Sequence, residues 1–281
     1  MTKTKKLQFQ RRFRFGHWNL ELGICLLFGI CDLEFKSYVI HAKIYFRLQF
    51  IYNNTMKTIA IVLAGGTGTR LKGPEPKQFR KIGGKALLEI CLKGFQEQKG
   101  ISGMVLVCPK AYLQRAKLIA GKYPKVTAVL AGGKTRQESA AIGVTAAIGA
   151  ERVLIHDAAR ALVPAPVIGR VLAALKKSAA VMPVVPAGDT TVRVDEKGSV
   201  TAVLDRDKLR RVQTPQGFRA DIIRIAHKLA NEEGFRDAGD DCSLVLRYGL
   251  APVVTVEGDV ANIKVTVPQD LLLAKAIMEM N

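Results

Sequence analysis

Beyond residue 56 the chain alternates short apolar runs with longer stretches in which apolar residues recur every three or four positions. The short runs predict strands near 58–63, 103–107, 126–130, 152–156 and 181–185, and the longer stretches predict helices over 86–98, 111–121, 135–148 and 166–177. Strands separated by helical crossovers imply an α/β fold built on a mostly parallel sheet with helices on both faces. Ligands in such sheets sit beyond the carboxyl ends of the strands, so the loops that follow the strands are the places to search for chemistry.

The alternation breaks after 181–185. Residues 190–194 and 199–204 alternate apolar and polar positions around Asp195, Glu196, Lys197 and Gly198, which predicts a β-hairpin with glycine supplying the positive φ of its turn. A two-stranded ribbon buries little surface by itself. The hairpin, an arm of about 189–211, is therefore expected to pack on another surface, most simply a second copy of the chain. Helices over 219–231, 241–248 and 268–280 and a strand over 251–256 complete the pattern.

Residues 1–55 do not share it. They hold eleven of the eighteen aromatic residues, the single Trp18 and none of the eleven prolines. Six basic residues precede the apolar run 23–31, but that run is too short to span a membrane and no small-residue cleavage pattern follows it. Residues 1–55 are expected to be an N-terminal extension outside the fold, ahead of a chain that effectively starts at Met56, with a basic amphipathic membrane anchor as the alternative, and residues 56–281 to form the working domain.

The formal net charge is +19. Nine Lys/Arg against three Asp/Glu in residues 1–55 account for +6, and the remaining +13 accompanies no zinc-finger spacing, recognition helix or RNA-binding aromatic pattern. A small polyanionic substrate fits that charge better than nucleic acid. The five cysteines are scattered and odd in number; with no disulfide framework and no export signal, a cytoplasmic location is expected.

The first post-strand loop carries the strongest signal. The apolar run 59–63 empties into Ala64, Gly65, Gly66, Thr67, Gly68, Thr69 and Arg70, and Pro76, Lys77 and Gln78 follow shortly after. Glycines let phosphate oxygens approach backbone N–H groups, and Arg70 and Lys77 supply charge. A dinucleotide fingerprint is excluded because Leu71 stands where its third glycine belongs. A Walker loop ending in Gly133, Lys134 and Thr135 is excluded because Ala128 stands at its leading glycine.

Three further loops bring compatible chemistry. Gly132 to Ser139, with Arg136, follows the 126–130 strand and opens a helix; it reads either as a base and ribose pocket or as a glycine turn with a Ser/Thr cap. His156, Asp157 and Arg160 follow the 152–156 strand, where the acid and the arginine could hold ribose hydroxyls, magnesium or an anion, or form a structural salt bridge. Lys264 lies between Ile263 and Val265, and alternation puts it on the opposite face, where it could project into the cleft as a third cation or snorkel as an edge lysine. The histidines show no metal spacing, and no hydrolytic triad is present. A phosphate monoester acceptor is ionised near neutral pH and needs no general base; it needs charge neutralisation and in-line placement.

In order along residues 56–281, these loops, together with Asp189 and Thr190, Asp205 and Arg206, and Thr214, Pro215 and Gln216, resemble the 2-C-methyl-D-erythritol 4-phosphate cytidylyltransferase family. The resemblance implies a Rossmann-like fold with the hairpin as a dimerisation arm, and transfer of a cytidylyl group from CTP to the methylerythritol phosphate with release of pyrophosphate. Magnesium is the cofactor it implies, with ligands left open. It implies that Arg70 and Lys77 stabilise the transition state, and that Arg206 and Lys264 position the acceptor. Ala64, Gly65, Gly66, Gly132, Arg136 and Ser139 would form the nucleotide pocket, and Asp157, Arg160, Thr190 and Thr214 would contact ribose or acceptor. Arg206 and Thr214 would serve the partner's site in a homodimer. Ribitol 5-phosphate cytidylyltransferase is the nearest alternative. Two departures stand out: Gly239 replaces the usual threonine before Asp240 and Asp241, leaving Asp240 as a helix cap, and Ala161 replaces a proline.

Overall fold

The computed structural model describes residues 57–66 and 75–280, together with the backbone of two strands, β1 (Phe9–Phe15) and β2 (Trp18–Ile24). The chain divides into two units, Met1–Thr55 and Met56–Asn281. In the first, β1 and β2 pair antiparallel, with Phe9 opposite Ile24 and Phe15 opposite Trp18. Arg70 lies outside the described residues.

The second unit is organised by β3 (Thr58–Leu63), which is buried on both faces. It pairs in parallel with β6 (Gly103–Cys108) on one side and β8 (Arg152–Asp157) on the other, and β6 pairs in parallel with β7 (Val126–Ala131). Between β3 and β6 lies a short ribbon of β4 (Lys81–Ile82) and β5 (Lys85–Ala86). Alternation along β3 sends its side chains into two separate cores. Ala60 and Val62 pack with Leu88, Leu92 and Phe95 of helix α1 (Leu87–Gln96), with Ala116 and Ala120 of α2 (Leu113–Ala120), and with Val167, Ile168 and Val171 of α4 (Ala165–Ala174). Ile59, Ile61 and Leu63 pack with Ala140 and Val144 of α3 (Arg136–Ala146) and, further along the same face, the core continues into α5 (Ala220–Glu233) and α6 (Asp241–Arg247). The expected doubly covered, mostly parallel sheet is therefore present.

Beyond β8 the sheet departs from a simple βαβ run. β13 (Gln216–Arg219) inserts antiparallel between β8 and β9 (Ala180–Pro186). β9 also pairs antiparallel with β12 (Arg210–Val212) and in parallel with β14 (Val253–Glu257). Neither β12 nor β13 is foreseen by the hydrophobic pattern, since β13 has a single large apolar residue, Phe218. Its Gly217 explains how it fits: a Cβ there would lie 2.6 Å from Val171 and 2.7 Å from Leu175, so the absent side chain lets α4 press on the strand. The expected hairpin forms from β10 (Val192–Val194) and β11 (Val200–Val203), with Gly198 at φ 83° in its turn. Helix α7 (Pro268–Met280) closes the described chain.

Helix α3 approaches the sheet through Gly143, where a Cβ would lie 2.3 Å from Ile61 Cγ2 and 3.3 Å from Val107 Cγ2. Replacing a mid-helix glycine by alanine ordinarily gains up to about 1 kcal/mol. Here overpacking against two buried strands, at about 1–3 kcal/mol, outweighs that gain. Gly143→Ala is expected to lower the urea unfolding midpoint; an unchanged or raised midpoint would show that the helix can move away from β3.

Candidate active site

Parallel pairing places the carboxyl ends of β3, β6, β7 and β8 along one edge, and their loops enclose a cleft of about 360 Å³. Among the described residues it is lined by Leu63 at the end of β3 with Gly65 and Gly66 beyond it, Pro109 after β6, Gly132 to Arg136 with Ser139 after β7, and Asp157 at the end of β8 with Ala159 beyond it. Lys77 and Lys264 enter from elsewhere in the chain. Gly66 adopts φ 89°, a conformation that side chains disfavour. Ala64 lies beneath the cleft instead of lining it, with its N–H donated to the Val107 carbonyl at 2.8 Å and its side chain in the core.

The loop after β7 is set by its own side chains. Ser139 Oγ accepts the Gly133 N–H at 3.2 Å and donates to the Thr135 carbonyl at 2.9 Å. Thr135 Oγ1 caps α3 by accepting the Glu138 N–H at 3.1 Å, and Glu138 accepts the Lys134 N–H at 2.7 Å. The cap reading of these hydroxyls is what the structure shows. Gly132 is required by close approach, because a Cβ would lie 2.7 Å from Ser139 Oγ.

Asp157 is the only carboxylate on the described cleft wall, and two cations meet it. Arg136 Nε donates to Oδ1 at 3.0 Å and Lys264 Nζ donates to Oδ2 at 2.7 Å. Burial by itself raises this carboxyl, but the charges of Arg136 and Lys264 outweigh burial and hold it well below the usual carboxylate range. Lys77, on the 3-10 turn Lys77–Phe79, donates from Nζ to the Val265 carbonyl at 3.2 Å. Lys264 belongs to an irregular segment, yet the alternation holds: Val265 is buried, Ile263 packs against the core, and Lys264 lines the cleft.

The remaining candidates sit behind or away from this wall. Thr214 Oγ1 accepts the Asp157 N–H at 3.2 Å and lies 3.0 Å from His156 Nδ1. His156 Nε2 lies 3.1 Å from the Arg160 carbonyl. That carbonyl can only accept, so Nε2 carries the proton, and the Thr214 hydroxyl donates to Nδ1. Thr214 is thus buried in a network of its own chain, directly behind Asp157. Arg160 makes no salt bridge with Asp157; it donates to the carbonyls of Asn262 at 2.7 Å and Val212 at 3.0 Å, stapling the Lys264 segment to the end of the arm. Thr190 and Arg206 are exposed on the arm and do not line the cleft. The arm's Val192, Val194, Val200 and Val203 are exposed as well.

Sequence reasoning missed the groups behind Arg136. Its Nη1 donates to Asp241 Oδ2 at 2.8 Å, and Gln216 Oε1 accepts the Asp241 N–H at 3.1 Å. The available signal was the paired acids at the start of α6: Asp240 caps the helix by accepting the Ser243 N–H at 2.8 Å, as expected, which leaves the second acid for another purpose.

A family model described as 2-C-methyl-D-erythritol 4-phosphate cytidylyltransferase matches residues 58–280. The chain belongs to this family. A cytidylyltransferase of that description from Rhodococcus opacus is 39% identical over 222 residues, covering 79% of this chain and 95% of the relative. Among solved structures, the 4-diphosphocytidyl-2C-methyl-D-erythritol synthase of Anaerococcus prevotii aligns with a TM-score of 0.71 at 28% identity, covering 79% of this chain and 98% of that one. The 2-C-methyl-D-erythritol 4-phosphate cytidylyltransferase of Thermus thermophilus aligns with a TM-score of 0.63 at 34% identity, covering 78% and 98%. Family membership covers the cleft and the arm and leaves residues 1–55 outside the matched region.

His156 provides a test of the network behind Asp157. Burial pushes its imidazole down to about 4. Because the folded value lies below the unfolded value of about 6.5, the unfolded chain binds the extra proton between those values, and stability falls as pH drops from 6.5 toward 4. The His156 ring resonances are expected to remain those of the neutral Nε2–H tautomer down to about pH 5; titration near 6.5 would contradict this network. Thr214→Val, which strands the Asp157 N–H, is expected to cost about 1–3 kcal/mol in denaturant unfolding.

Proposed function

We propose that the chain transfers the cytidylyl group of CTP to 2-C-methyl-D-erythritol 4-phosphate, giving 4-diphosphocytidyl-2-C-methyl-D-erythritol and pyrophosphate in the route to isoprenoid precursors. The observation that carries this reading is the glycine-walled cleft lined, among the described residues, by Lys77, Arg136 and Lys264 and by one carboxylate, Asp157, which Arg136 and Lys264 contact. An oxygen of the acceptor phosphate forms the new bond to the α-phosphorus of CTP, and the bond from that phosphorus to the bridging oxygen of pyrophosphate breaks. The acceptor is ionised near neutral pH, so no protein base is required. The protein's task is to neutralise charge on the reacting phosphates and to align them.

Lys77 and Arg70 are assigned to the charge that develops at the α-phosphate, and Lys264 and Arg206 to the acceptor. Arg136 and the β7 loop hold the nucleotide, and Gly65 and Gly66 admit its phosphates. Thr214 and Arg160 act from behind, through Asp157 and the Lys264 segment.

The donor set also suits magnesium. Among the described residues no three metal-ligating side chains cluster, but magnesium commonly takes one or two carboxylates together with substrate phosphates. Asp157 would be its protein ligand, and the ion would neutralise triphosphate charge. Each Asp157 oxygen retains a further acceptor site beside its present cation.

The exposed valines of the arm and the exposed Arg206 support a homodimer in which the arm reaches the partner's cleft. Thr190, at the root of the arm, is assigned to the acceptor with Arg206. Catalysis is assigned to Met56–Asn281. Cys91, Cys108 and Cys242 are free and buried, which fits a cytoplasmic location, and no helix among the described residues is long and apolar enough to cross a membrane.

Pyrophosphate release with CTP, magnesium and each polyol phosphate tests the reading. The methylerythritol phosphate is expected to turn over and ribitol 5-phosphate to be poor; the reverse would contradict the assignment. Lys77→Ala is expected to lower kcat by about 100-fold or more with little change in the KM for CTP. Arg206→Ala mixed with Lys77→Ala should recover activity if the arm crosses the dimer, and no recovery would remove the shared site. A chain begun at Met56 should retain full turnover.

A further inference from the structure

Behind the cleft, Arg136 meets a second carboxylate that does not line it. Asp241 is 1% exposed and stands at the start of α6. The cap of that helix is already supplied by Asp240, so Asp241 is surplus to helix initiation. Its N–H and that of Cys242 donate to Gln216 Oε1 at 3.1 and 3.2 Å, tying this turn to β13 in the sheet. Its Oδ2 accepts from Arg136 Nη1 at 2.8 Å, while Arg136 Nε serves Asp157 at 3.0 Å.

The guanidinium is thereby held at two points of a rigid fork, one toward the cleft and one toward the sheet. Stability explains this pair poorly, because desolvating two charges offsets most of their attraction. The surrounding polar atoms are also incompletely matched. His227 Nε2 lies 3.3 Å from Asp241 Oδ1, and among the described residues Arg136 Nη2 and Gln216 Nε2 have no hydrogen-bond partner. Without Asp241, the guanidinium would be fixed only through Nε and could turn away from the nucleotide side of the cleft.

We propose that Asp241 is a positioning residue, acting through Arg136 to set the nucleotide wall of the cleft without touching substrate. The inference rests on the cytidylyl-transfer reading for the identity of the nucleotide.

Calorimetric CTP binding and steady-state kinetics on the full chain test it with Asp241→Asn, Arg136→Gln and the double variant. Asp241→Asn keeps the side chain's size and removes its charge. It is expected to raise the Kd and KM for CTP at least about tenfold while leaving the KM of the acceptor unchanged. Arg136→Gln should match it, and adding Asp241→Asn to Arg136→Gln should cause no further loss. A purely structural Asp241 would lower Tm, leave the CTP affinity of folded protein unchanged and add to Arg136→Gln; that result overturns the proposal. Should Asp241→Asn not fold, Arg136→Lys keeps the charge but cannot fork between both carboxylates, and undiminished CTP affinity there overturns it equally. Wild-type protein that does not bind CTP overturns the functional reading and this inference together, whereas wild-type binding preserved in Asp241→Asn overturns this inference alone.

Discussion

The Asp157 carboxylate, shared between Arg136 and Lys264, is the interaction on which the cleft depends. It joins three parts of the chain: the end of β8, the first turn of α3 and the irregular segment before α7. Each cation alone would repel the other across a narrow space; one acid between them makes their proximity tolerable and fixes where each side chain points. The acid is itself fixed from behind, its N–H held by Thr214 and that hydroxyl oriented by a neutral, buried His156. Placement of charge in the cleft thus traces back to a histidine that never carries any near neutral pH.

The sheet explains why these pieces converge. Four parallel strands deliver their carboxyl ends to one edge, and β3 is covered on both faces, so the edge is a rigid platform. Gly143 lets α3 lie close against Ile61, which brings Arg136 at the start of that helix to the height of Asp157. On the other side, Arg160 staples the Lys264 segment to the backbone at Val212, where the arm returns to the sheet. A shift of the arm would thereby be felt at Lys264.

Elements marked by contiguous apolar runs or by a glycine turn between alternating segments were legible in the sequence. The strand at 58–63, the helix at 268–280 and the hairpin around Gly198 appear where the pattern places them. β13 was not legible, because Gln216, Gly217 and Arg219 leave only Phe218 as an apolar signal, and the strand is specified by the gap at Gly217 that α4 fills. The cleft was legible at Gly66, Gly132, Lys77, Asp157 and Lys264, all of which line it. The division of labour was not. Asp157 and Arg160, three residues apart, looked equivalent, yet one lines the cleft and the other binds carbonyls. Asp240 and Asp241 are adjacent and chemically identical, and only tertiary packing separates a cap from a buried partner of Arg136.

The structure of the chain with CTP and magnesium bound measures the central claim most directly. The account predicts the triphosphate in the cleft between the Gly65–Gly66 loop and the start of α3, with Asp157 contacting the nucleotide or its metal ion and Arg136 still anchored on Asp241. CTP bound elsewhere, or bound there with Asp157 touching neither nucleotide nor metal, would contradict it.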